Sequence, residues 1–322
     1  MWRPLGNKHH AIYAFKGDVN KMKKLITSLL VGMLLAGLTG CQGRQTKEVT
    51  ETPATESSSA ASVKTVSVGD MEMDYAVFGS GEKSFVILPG MSVHSVMGSA
   101  DAIAEAYKDF SEEYTVYVFD RAKNIHDGYT VRNMAEDTAA AMQELNIAEA
   151  DVFGASQGGM IAQYLAIDHP ELVHKMILGS TLAKSNDTCS QVIEEWIQLA
   201  EAKDEEGLLA SFADNVYSEA TLKAYRETLI SSNLGISDEE YQRFVILAQA
   251  CKTFDCYDEL TNIQCPVLVL GSEGDHVVTA EGSEQIAEAL GCEIYLYDDS
   301  YGHGVYDEAP DYKQRCLDFL HS

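Results

Sequence analysis

From Val63 onward, short runs of β-type apolar residues alternate with longer stretches in which apolar residues recur every three or four positions. The short runs predict eight strands, at 65–68, 73–78, 85–88, 115–119, 151–153, 175–178, 267–270 and 293–297. The helical period predicts helices at 99–113, 131–145, 160–167, 280–290 and 312–320, with Thr130 as an N-cap ahead of Glu136 and Asp137 on a solvent face. Strands alternating with helices build a mostly parallel sheet covered by helices on its faces. Between 182 and 263 the pattern changes. No strand is evident there, while Val192, Trp196, Leu199, Leu208, Leu222 and Phe244 recur at roughly helical spacing, which predicts an all-helical cap inserted over one edge of the sheet.

Ahead of that globular pattern lie two segments of different character. Lys21, Lys23 and Lys24 precede an apolar run over 25–38, about the length of a signal-peptide core and short for a membrane span. The run ends in Leu38-Thr39-Gly40-Cys41, which resembles the lipobox of bacterial lipoproteins. The resemblance implies cleavage before Cys41, a lipid on its thiol, and an extracytoplasmic protein anchored to the cell membrane. Met22 followed by two lysines reads as a natural start for such a signal, so 1–40 is expected to be a signal segment with an upstream extension. Residues 41–62 are rich in Thr, Ser, Glu and Ala and poor in large apolar side chains, a composition that cannot offset the entropy of ordering; they read as a lipid-anchored flexible tether. The globular domain is then 63–322.

Composition narrows the classes of function. Hydrophobic residues are 46% of the chain and charged residues 23%, ordinary soluble usage that argues against disorder or a polytopic membrane protein. The formal charge of -27 opposes binding to phosphate backbones, so nucleic acid is not an expected partner. Without residues 1–40 the balance becomes 17 basic against 49 acidic residues, or -32, which reads as a soluble, self-repelling surface. Beyond Cys41 there are Cys189, Cys251, Cys256, Cys265, Cys292 and Cys316. Export permits bridges among them, but they sit in apolar or helical patterns typical of buried thiols, and neither a Cys-x-x-Cys pair nor a His-Cys cluster suggests a metal.

The chemistry is concentrated in three places. Asp151-Val152-Phe153-Gly154-Ala155-Ser156-Gln157-Gly158 sets a Ser within Gly-x-Ser-x-Gly, directly after an apolar strand and before a helical pattern. A Ser on so tight a turn adopts a strained backbone, and small residues two before and two after keep strand and helix from colliding. The hydroxyl of Ser156 then projects as a nucleophile, while the Gln157 N–H at the helix N-terminus faces a developing oxyanion. With this motif the chain resembles the α/β-hydrolase superfamily over nearly all of 65–320, and the stretch from Gly154 to Gln163 is similar to its capped, esterase- and lactonase-like members. The resemblance implies the α/β-hydrolase fold: an eight-stranded, mostly parallel sheet flanked by helices, with the site beneath the cap. It also implies that the N–H of Met91, in the Pro89-Gly90-Met91 loop where many relatives carry His-Gly, is the second oxyanion donor. His94 lies just beyond as a pocket or packing residue, and Asp120-Arg121 resembles a structural turn with no assigned chemistry.

His303, in Gly302-His303-Gly304 between the last strand and the last helix, matches the family's catalytic base; its glycines let the loop bring the imidazole over the nucleophile. Asp275 follows the strand at 267–270 in a loop that resembles the family's acid-bearing turn, with Asp187, Glu273, Asp298 and Asp299 as rival carboxylates. The order Ser156, Asp275, His303 is that of this superfamily. The expectation is hydrolysis of a carboxylic ester, thioester or lactone through an acyl-enzyme, needing no cofactor. Acyl transfer to another acceptor, peptide release and perhydrolysis use the same triad, and a surface binding protein on the same scaffold is the contrasting class.

Overall fold

The computed structural model describes residues 60–322. The expected signal segment, Cys41 and all but the end of the expected tether lie outside the described residues. The sheet comprises β1 (Ser62–Val68), β2 (Met71–Gly79), β3 (Lys83–Leu88), β4 (Tyr114–Ala122), β5 (Ala150–Ala155), β6 (Val173–Gly179), β7 (Val267–Ser272) and β8 (Glu293–Tyr297). Their spatial order is β1-β2-β4-β3-β5-β6-β7-β8. The pairs β1–β2 and β2–β4 are antiparallel, and every pair from β3 to β8 is parallel. All eight expected strands are present.

Alternation along the strands divides the apolar interior into two cores. Val86, Leu88, Val152, Met176, Leu178 and Val269 face one side of the sheet, beneath α2 (Val131–Glu144), α3 (Gln157–Asp168) and α8 (Thr279–Leu290). Phe85, Ile87, Phe153, Ile177, Leu268 and Leu270 face the other, beneath α1 (Ala100–Ala106) and α10 (Tyr312–Leu320). α3 is buried over Gln157–Ala166, as its almost wholly apolar and small composition requires.

Between β6 and β7 the expected cap is a set of four helices, α4 (Asp187–Glu201), α5 (Glu205–Val216), α6 (Glu219–Ser231) and α7 (Asp238–Lys252). Each begins on a side-chain cap, respectively Asn186, Asp204, Ser218 and Ser237, and each cap is worth about 1 kcal/mol. α4 packs on α7 and α5 on α6, so the cap carries its own apolar layer, in which the Trp196 and Phe212 rings meet tilted at 34° with centroids 4.7 Å apart.

Three sequence expectations shift. β1 starts at Ser62, inside the expected tether, because its backbone pairs with Val77 of β2 and a ladder overrides composition. The helix expected over 99–113 ends at Ala106; a 3-10 turn at Lys108–Phe110 follows and turns Phe110 onto Phe85 at 4.9 Å. Asp137 is half-buried rather than solvated, accepting a hydrogen bond from Tyr129. The six cysteines beyond Cys41 are all free thiols.

Candidate active site

Ser156 stands between β5 and α3 with φ 52° and ψ -120°, a conformation costing a non-glycine residue about 1–3 kcal/mol. The surroundings hold it there: its N–H donates to Gly179 O at 2.8 Å, and its carbonyl accepts from Gly159 N, Met160 N and Thr181 Oγ1. Glycine is obligatory on both sides of the turn. A Cβ at Gly154 would lie 2.4 Å from Gly158 O, and one at Gly158 would lie 1.8 Å from Leu88 O. The sequence therefore confines this strand, turn and helix to one close-packed arrangement that leaves the Ser156 side chain half-buried at the sheet's C-terminal edge.

His303 and Asp275 meet at that edge. Both are nearly inaccessible, 3% and 4% exposed, and His303 Nδ1 lies 2.8 Å from Asp275 Oδ2. The second oxygen, Asp275 Oδ1, accepts from the Val277 and Val278 N–H groups at 2.8 and 2.9 Å. Burial alone would raise the Asp275 carboxyl, but the charge and hydrogen bond of His303, with the two backbone donors, bring it below the usual carboxylate range. The acid and base loops are stitched together by Ser272, whose hydroxyl donates to Tyr301 O at 2.6 Å. The rivals lie elsewhere: Asp187 is exposed in the first turn of α4, Glu273 and Asp299 are exposed, and Asp298 accepts from Ser300 N. Among the described residues Ser156 Oγ has no hydrogen-bond partner, His303 included, a contact of the kind that tightens when substrate binds.

On the opposite flank, the N–H groups of Met91 and Gln157 have no acceptor among the described residues. A Cβ on Gly90 would sit 3.3 Å from Ser156 Cβ and 3.7 Å from Tyr306 Oη, so this loop passes directly over the nucleophile. Arg121 fixes it. The guanidinium, 6% exposed, donates through Nη2 to Pro89 O at 2.6 Å and through Nε to Gln157 Oε1 at 3.1 Å, tying the loop before Met91 and the Gln157 side chain to one cation. Burial lowers Arg121 to about 10, which keeps it charged at neutral pH. The Gln157 amide in turn donates to Leu247 O and Cys251 Sγ of α7, and Arg243 of α7 donates to Arg121 O and Asp120. A small cleft opens here, lined by Gly90, Met91, His94, Arg121, Gln157 and Arg243 among others. His94 spans it, with Nδ1 2.7 Å from Glu240 Oε1 and Nε2 2.8 Å from Asn233 O.

The sequence signals thus converge on one edge of the sheet; Arg121, expected only as part of a structural turn, joins them, as do Tyr306 and Glu308, which the sequence does not single out. Glu308 accepts from Gly302 N, beside His303, and from Ser218 of the cap. A strained serine hydroxyl, a buried His–carboxylate pair and two unengaged N–H groups suit nucleophilic acyl transfer. Among the described residues no cluster of three or more His, Cys, Asp or Glu could hold a metal ion.

Comparison with known proteins supports the fold. A family profile described as alpha/beta hydrolase fold matches residues 85–310. A 3-oxoadipate enol-lactonase of Acinetobacter baylyi is 23% identical over 234 residues, covering 70% of this chain and 84% of its own. Among solved structures, MGS-M2, an alpha/beta hydrolase enzyme from a Medee basin deep-sea metagenome library, superimposes with a TM-score of 0.72 at 22% identity, covering 80% of this chain and 98% of its own. An esterase from Exiguobacterium antarcticum does so with a TM-score of 0.66 at 20% identity, covering 78% and 96%.

Proposed function

The chain belongs to the alpha/beta hydrolase family, and on that premise we propose that it is a serine hydrolase that cleaves a carboxylic ester, thioester or lactone through an acyl-enzyme. The observation that carries this reading is the strained Ser156 turn, at a helix N-terminus, on the same edge as the buried His303–Asp275 pair. In the reaction His303 Nε2 takes the Ser156 proton as Oγ attacks the acyl carbon. Asp275 accepts the Nδ1–H, fixes the tautomer and stabilises the imidazolium. The Met91 and Gln157 N–H groups receive the oxyanion, each such donor being worth about 10²–10³-fold in turnover. His303 then protonates the departing alcohol or thiol, and water activated by the same imidazole releases the acid. The names of the relatives, an enol-lactonase and an esterase, support the ester and lactone class. A fluorophosphonate probe is expected to label Ser156, and Ser156→Ala to lose both labelling and turnover of activated esters while keeping its melting temperature. Near-wild-type turnover by that variant would remove Ser156 from the mechanism.

We also propose that Cys41 carries a lipid that holds the domain at the cell membrane, extracytoplasmically. The support is the order of lysines, apolar run, small residues and Cys over 21–41. Two acyl chains suffice for stable anchoring, whereas one binds reversibly. Cys41→Ser expressed in a bacterial host is expected to leave the membrane fraction. Unchanged fractionation and processing would defeat the anchor.

A further inference from the structure

The base side of the cleft contains a carboxylate to which the reaction assigns no proton. Glu308 lies in the four-residue helix α9 (Val305–Glu308), five residues beyond His303. Its Oε2 accepts the N–H of Gly302 at 2.9 Å, and its Oε1 accepts both the N–H and the hydroxyl of Ser218 at 3.0 and 2.7 Å. Gly302 immediately precedes the base, while Ser218 caps α6. One side chain therefore joins the His303 loop to the α5–α6 junction of the cap. The junction completes the hold from the other direction, since Gly304 N donates to Val216 O at 2.7 Å. His303 thus sits between two backbone N–H groups, one gripped by Glu308 and one by the cap's main chain. The fit is close: a Cβ on Gly302 would come within 2.7 Å of Val216 O and 2.9 Å of Ser218 N.

On the serine-hydrolase reading above, we propose that Glu308 is a positioning residue for His303, clasping the cap's α5–α6 junction to the base loop so that the imidazole stays in register with Ser156. The reasoning is one of donors and acceptors. Gly302 and Ser218 together present three donors to one carboxylate, and a carboxylate accepts on both oxygens with no orientation to choose. An amide of the same volume accepts on one atom only and turns its own N–H donors toward a backbone N–H on the other. Either the loop or the cap must then let go. Asp275 continues to hold Nδ1, so the imidazole remains paired but pivots relative to the nucleophile.

The experiment compares the intact wild-type chain with Glu308→Gln and Ser218→Gly, the latter removing one of the three donors while keeping an acceptable N-cap. Turnover of an activated ester is measured per fluorophosphonate-reactive site, with the imidazole resonances of His303 followed by NMR on histidine-labelled protein. Glu308→Gln is expected to lower kcat by about ten- to a hundred-fold with KM little changed, since misplacing a catalytic group falls on the chemical step. The His303 resonances should move, and Ser218→Gly should show a smaller change of the same kind. A loss of melting temperature alone, with kcat and the His303 resonances as in wild type, would overturn the proposal. Should Glu308→Gln fail to fold, Ser218→Gly decides: a fall in kcat with moved resonances supports the clasp, and wild-type values for both overturn it. If the wild-type chain does not react at Ser156 but the His303 resonances still respond to Glu308→Gln, the serine-hydrolase reading fails while the clasp stands.

Discussion

The two flanks of the cleft are fastened to the same cap by opposite charges. On the oxyanion side a buried cation, Arg121, holds the Pro89 carbonyl and the Gln157 amide, and α7 reaches it through Arg243, Leu247 and Cys251. On the base side an anion, Glu308, holds the Gly302 and Ser218 N–H groups, and the α5–α6 junction reaches it. The proposed reaction separates charge in the matching sense, with negative charge growing on the acyl oxygen and positive charge on His303. A fixed positive group behind the first and fixed negative groups around the second favour that separation without rearrangement. The contrast in burial follows from partner type. Arg121 is enclosed and has neutral acceptors, so its loss strands buried oxygens; Glu308 is half-buried, as is Ser218, while Gly302 is enclosed.

The comparison can be broken most severely at the base. Asp275→Asn presents the wrong group to His303 Nδ1 and is expected to lower kcat by about 10⁴-fold at neutral pH, with Asp187→Asn, Glu273→Gln and Asp299→Asn near wild type. Steady-state kinetics of the four variants would reassign the acid if Asp187→Asn were the inactive one. A smaller change is expected on the oxyanion side. Arg121→Lys keeps a charge but cannot bridge both Pro89 O and Gln157 Oε1, so kcat should fall by about 10²-fold and the melting temperature should drop as one buried acceptor is left unpaired. A lower melting temperature with unchanged kcat would show that the loop finds its place without the bridge.

The smallest effect belongs to His94, whose two ring nitrogens both face acceptors, so that the imidazolium alone satisfies Glu240 and Asn233 together. Burial acts to lower its pKa, but the hydrogen bonds to Asn233 and Glu240 and the charges of Glu240 and Glu205 outweigh it and raise the folded value. The stabilisation from this latch is therefore complete below the unfolded value of about 6.5 and is lost as pH rises through the raised folded value. Relative to His94→Gln, the wild-type chain should melt a few degrees higher below that window and lose the advantage above it. A difference independent of pH would mean that the latch works through neutral contacts.

Strands, helices and the Ser156 turn were legible because each is written locally, in period, in capping residues and in glycine spacing. Thr130 and Asn133 form the capping box that opens α2, and Gly154 and Gly158 mark the only residue type that the Ser156 turn admits. The fastenings were not legible. Arg121 lies 36 residues from Gln157, and Glu308 lies 90 from Ser218, so nothing near either residue announces its partner. Asp120-Arg121 was recognisable as a turn, yet its guanidinium acquires a role only once β3, β4 and β5 bring Pro89 and Gln157 to it. α9 escaped notice because four residues carry no period, and the first residues of β1 because their composition is that of a tether.

Much of the fastening on the cap's side is made by its main chain: Val216 O receives Gly304, Leu247 O receives Gln157, Asn233 O receives His94, and Ser218 N is given to Glu308. Peptide groups are present whatever side chains the cap carries. Substitution within α4–α7 can therefore drift, re-lining the cleft for acyl or alcohol groups of other shapes, while those four attachments persist so long as the helices keep their path. A graft of a foreign cap faces the converse demand, because helices of the right composition on a different path would release the base loop and the oxyanion loop together. In this architecture selectivity can evolve by point mutation, but cap exchange requires matching backbone geometry first.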